Sequence, residues 1–115
     1  MRELLYNAAT HYKRGTRLAE EGDTRAALAA YAEAVADLHA VKPQRMRNVL
    51  LAQVHLSRYK VALSAGRKDA LHDLRLGYSY ARTTREPAVE ALAQQLWAEH
   101  LATRQVSSPR AVASD

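Results

Sequence analysis

The chain is expected to be all-α, built from five antiparallel helices, and three observations lead there. Ala, Leu, Arg and Glu dominate, Phe and Ile are absent, and no segment shows the alternation of apolar and polar residues that a strand requires. Only 4 glycines and 3 prolines interrupt 115 residues, at intervals suited to helices. Between these breaks, apolar residues recur at steps of three and four.

The first helix is expected from about Arg2 to Glu21, with Leu4, Leu5, Ala8, Tyr12, Gly15 and Leu18 inward. Gly22-Asp23 is the first turn. The second helix runs from Thr24 to about Ala40, with Asp23 or Thr24 placed to accept an orphan backbone N–H at its start. Its stripe is Ala27, Leu28, Tyr31, Ala34, Val35 and Leu38. Pro43 precedes the third helix, expected over about Gln44–Ser64. The apolar residues of this helix do not share one face, which places it between neighbours. Gly66 turns the chain into the fourth helix, from Lys68 to about Arg82, with Ala70, Leu71, Leu74, Gly77, Tyr78 and Ala81 inward. The fifth starts near Pro87, presents Val89, Leu92, Ala93 and Leu96, with Trp97 at the edge of this stripe, and fades near Arg104. Residues 1–105 are therefore expected to form one domain, and 106–115, with Ser107-Ser108-Pro109, a flexible tail.

Gly15, Leu18, Gly22, Asp23, Ala27, Tyr31 and Ala34 together resemble one tetratricopeptide repeat, a pair of antiparallel helices with small residues at the crossing and an aromatic beyond it. The physical basis is general: helix axes approach to about 8–10 Å only where the facing side chains are small. The resemblance implies close contact at Gly15 and Ala27, with Tyr31 filling the gap. In the second pair Gly66 takes the turn, Ala70 or Leu71 the close-contact position, and Tyr59 stands where the family often has glycine. The interval from Gly22 to Gly66 is 44 residues, against about 34 in the family. The resemblance implies a stack of two helix pairs capped by the fifth helix.

Chemistry is sparse. With no cysteine, thiol nucleophiles, disulfides and zinc–thiolate sites are excluded. His11, His39, His55, His72 and His100 never come within four residues of one another, so no helical metal pair exists. No Gly-rich phosphate loop and no Gly-x-Ser-x-Gly elbow occurs. No cofactor or metal is expected, and no enzymatic activity. No apolar run is long enough to cross a membrane; with no secretory leader visible, the cytoplasm is the expected compartment.

The net charge of +5 is distributed unevenly. Residues 1–41 carry 5 basic and 6 acidic side chains, residues 42–85 carry 10 and 2, and residues 86–115 carry 2 and 4. A positive field over the third and fourth helices attracts acidic peptides, phosphates or nucleic acid, unless its arginines are spent on helix ends and neighbouring carboxylates.

Two functions follow. The first is a protein-interaction module binding a peptide or helix of another protein, acidic ones included, in the groove that the resemblance implies along the first, third and fifth helices. The candidate contacts are His11, Lys13, Arg14 and Thr16, then Asn48, Gln53, His55 and Arg58, with Tyr80 on the fourth helix. Homo-oligomers through the first or fifth helix belong to the same class. The alternative is nucleic-acid binding through the basic third and fourth helices, with Gly66-Arg67-Lys68 as the turn of a helix-turn-helix.

Overall fold

The computed structural model describes residues 2–106 as five α-helices, α1 (Arg2–Glu20), α2 (Thr24–His39), α3 (Arg45–Ser64), α4 (Ala70–Thr84) and α5 (Pro87–Val106). No strand occurs among the described residues. The tail expected over 106–115 lies, from residue 107 onward, outside them; Val106 itself ends α5.

Gly22 and Gly66 divide α1–α4 into two hairpins, and both turns close in the same way. Gly22 (φ 85°) and Gly66 (φ 74°) take the left-handed conformation that costs glycine least. Each is flanked by the paired bonds of a Schellman motif. Gly22 N–H donates to the Ala19 carbonyl and Asp23 N–H to that of Leu18; Gly66 N–H donates to Leu63 and Arg67 N–H to Ala62. Asp23 then caps α2 by accepting from the Ala26 N–H at 3.2 Å. At the second turn, the Asp69 carboxylate is engaged by Arg67 at 3.1 and 3.2 Å and caps nothing. That hydrogen bond holds the Asp69 carboxyl below its ordinary range, and α4 begins two residues later than expected.

The hairpins also bury corresponding positions. Ala27, Ala30, Tyr31, Ala34 and Leu38 are buried on α2, with Val41 just beyond; 43 positions later stand the buried Ala70, Asp73, Leu74, Gly77, Ala81 and Thr84. Ala8 and Gly15 of α1 correspond at 44 positions to the buried Ala52 and Tyr59 of α3. The chain thus contains two helical hairpins with one burial pattern.

Bulk is distributed differently in each. A Cβ on Gly15 would lie 2.7 Å from the Tyr31 ring and 3.2 Å from the Ala27 carbonyl oxygen, so α1 and α2 meet at the three residues expected. In the second hairpin Gly77 also makes a tight approach, beyond the expected Ala70 or Leu71. A Cβ there would lie 2.6 Å from Leu56 and 3.2 Å from its backbone nitrogen. Ala70 is buried nearby, while Leu71 is only half-buried. Glycine at 77 lets α4 approach Leu56 of α3, while Tyr59 stands at the position that corresponds to Gly15.

Each hairpin is the most extensive packing in the molecule. α2 lies on α3, α5 on α4, and α1 and α5 both touch α3. α1, α3 and α5 are therefore successive neighbours, while α2 and α4 have no comparable contact. Flanked by all four other helices, α3 buries Val49, Leu51, Ala52, Val54, His55, Leu56, Tyr59 and Ala62, as its unfaced apolar pattern requires.

Candidate interaction groove

The residues expected to meet a partner fall into three groups, with Thr16 apart. Lys13 and Arg14 are exposed on α1, and Asn48 and Gln53 are half-buried on α3. His11 is turned onto α2, where its ring nitrogens lie 3.0 Å from Asp37 Oδ2 and 3.2 Å from Glu33 Oε2. It fastens α1 to α2 and does not face a groove.

The third group is a correction. His55, Arg58 and Tyr80 converge on Asp73 inside the α3/α4 hairpin. His55 Nδ1–H donates to Asp73 Oδ1 at 2.9 Å, and Arg58 Nε lies 3.5 Å from Asp73 Oδ2. The Tyr80 ring stacks on His55, with centroids 6.0 Å apart and planes within 9°. His55 and Asp73 are only 4% and 8% exposed, so His55 offers nothing to a partner. Tyr80 packs against both core clusters and bridges them, so it does not share the outer face of Arg75 and Arg82. The cluster ties α4 to α3.

Of the expected contacts, Thr16 lies where α1 and α3 part. Its hydroxyl is 3.0 Å from the Tyr31 hydroxyl, and Tyr12 reaches Ser57 of α3 at 3.1 Å. Burial raises the Tyr31 phenol pKa, with the Thr16 hydrogen bond opposing. Thr16, Ala19 and Glu20 face Ser57, Lys60 and Val61 across a depression of about 260 Å³. A second depression, of about 280 Å³, lies between Lys60 and Leu63 of α3 and Leu96, Glu99, His100 and Thr103 of α5. Tyr59 forms part of its wall; burial, and then the charge of Glu99, raises its phenol pKa.

Lys60 lines both depressions, so two separate hollows, one toward α1 and one toward α5, adjoin at Lys60 and make up the candidate groove across α1, α3 and α5. Leu63, 55% exposed, gives it an apolar element, and Glu20, Lys60 and Glu99 give it charges of both signs. Lys60, Leu63, Glu99 and His100 were not among the residues singled out from the sequence. A signal was present: Ser57, Lys60 and Ser64 recur at helical spacing on one face of α3.

The basic middle is partly spent within the fold. Arg45 Nε donates to the Thr84 carbonyl at 2.7 Å and its guanidinium approaches Glu86; Arg47 reaches the Val41 carbonyl; Arg58 and Arg67 face Asp73 and Asp69. Among the described residues no group of three His, Asp or Glu side chains is placed to hold a metal ion, and no helix is long and apolar enough to cross a membrane. Comparison with protein-family models, curated proteins and solved structures finds no significant match.

Proposed function

We propose that this chain is a non-enzymatic interaction module with a tetratricopeptide-like stack, and that it binds a peptide or helix of another protein along the groove of α1, α3 and α5. The two depressions that adjoin at Lys60, one bounded by α1 and the other by α5, carry this reading. The recurring burial of the two hairpins, their matching Schellman turns and the adjacency of α1, α3 and α5 support the stack. The second hairpin departs from the repeat pattern in length and in having Gly77 in place of a glycine at 59.

A half-apolar groove with charged rims suits an amphipathic segment: Leu63 and Leu96 take its apolar side, while Lys60 pairs with an acid. The test is quantitative capture from native lysate by the wild-type chain and by a Lys60→Glu/Leu63→Asp variant. Both side chains are exposed, so helix content stays constant. The groove reading expects a discrete partner lost at least about tenfold from the variant, the order expected when a central contact is removed. Equal recovery by both chains contradicts it.

A further inference from the structure

A second surface lies between α4 and α5, formed by residues the groove does not use. Arg75, Tyr78, Ser79, Arg82 and Thr83 of α4 and Trp97 of α5 line a cleft of about 430 Å³. Its α4 wall is a stripe at helical spacing, with a cation at either end and two hydroxyls between. Its aromatic wall is Trp97, which meets Tyr78 at 5.6 Å between centroids and His100 at 5.7 Å.

The electrostatics are one-sided. Four arginines of the basic middle are engaged within the fold, but Arg75 and Arg82 have no hydrogen bond or ion pair among the described residues, and no carboxylate lines the cleft. Two unpartnered guanidiniums beside an indole present both determinants of a nucleotide: planar donors for phosphate and a ring face for a base. Seven helical residues place Arg75 and Arg82 about 10 Å apart along the axis, a span that two long guanidinium side chains can bridge to meet at one phosphate. A purely acidic peptide would satisfy the arginines and leave the aromatic wall unused.

We propose that the α4/α5 cleft binds a nucleoside phosphate, the base stacking on Trp97 and the phosphate held by Arg75 and Arg82. The unit is the same in a free nucleotide and in a single strand. The site stands independently of the α1/α3/α5 groove, so either can fail without the other.

Trp97 is the chain's only tryptophan, so its fluorescence reports the cleft directly. The full chain is titrated with AMP and with a single-stranded oligoadenylate at several salt concentrations. Both quench Trp97 if the site takes nucleotides. Equal affinity for the two assigns it to free nucleotide; tighter, salt-dependent binding of the oligomer assigns it to a strand, and either result supports the proposal. Arg75→Gln/Arg82→Gln weakens binding about tenfold or more and, for a strand, lowers the salt slope by about 1.4, the share of two phosphate contacts. Ser79→Glu, which sets a carboxylate between the arginines, weakens it in the same direction. Lys42→Gln/Lys68→Gln removes equal charge elsewhere and changes affinity less than about twofold. Absence of quenching by both ligands overturns the proposal. So does equal weakening by the lysine pair, or tighter binding of a phosphotyrosine peptide than of either nucleotide probe.

Discussion

Asp73 shows how one residue serves structure in place of the role its neighbours suggested. Its two carboxylate oxygens face His55 and Arg58, both expected to be exposed contacts. Asp73→Ala leaves two polar partners without their acceptor in a buried setting and is expected to cost about 3 kcal/mol, measured as a lower urea midpoint with unchanged helix content in the native baseline. Tyr31 and Tyr59 supply a pH dependence. Burial raises both phenol pKa values, so the folded state favours the neutral form. Their contribution is complete below pH 10, the unfolded tyrosine value, and declines as pH rises through it toward the folded values. The melting temperature is expected to fall as pH rises above about 10, and less so in Tyr59→Phe. At this scale the first crossing was legible, because Gly15 and Ala27 are small and Tyr31 is large. Gly77 was read only as inward, because its tightness depends on Leu56, a residue on another helix.

The helices were legible because their boundaries are local chemistry. Gly22 and Gly66 are required where a helix ends in the left-handed conformation, and Pro43 and Pro87 where the next one begins. α4 was misplaced by two residues because the Arg67–Asp69 pair, a side-chain contact, decides its start. The faces of α3 were not legible. A helix with neighbours on several sides carries no single apolar stripe, so Asn48, Gln53, His55 and Arg58 could not be sorted into outward and inward residues. The first hairpin offers a direct test of helix contact. Ala27→Arg drives a long cation into the contact beneath Gly15, and burying a charge without a partner exceeds the stability of a small hairpin. Circular dichroism is expected to show lost helix and a lower melting temperature, whereas Ala29→Arg, on the exposed side of α2, should melt as the wild type. Equal behaviour of the two variants contradicts the packing of α1 on α2.

At the scale of the molecule, two hairpins and a fifth helix leave two clefts with different chemistry. The groove along α1, α3 and α5 mixes an exposed leucine with charges of both signs, and the α4/α5 cleft joins unpaired arginines to tryptophan. The positive charge of residues 42–85 was visible in the sequence, but its division was not. Arg45 and Arg58 meet the Thr84 carbonyl and the Asp73 carboxylate, which only the fold brings near, while Arg47 and Arg67 reach partners close by in the chain. Lys60 was not recognised as central for the same reason, since the groove exists only once α1 and α5 flank α3. Site-specific photo-crosslinking addresses that position directly. A benzophenone side chain replacing Lys60 is irradiated in native lysate and compared with one replacing Ala36, which is exposed on α2. The groove predicts a discrete protein adduct from position 60 that is absent at position 36; no adduct at 60, or the same adduct at both positions, contradicts it.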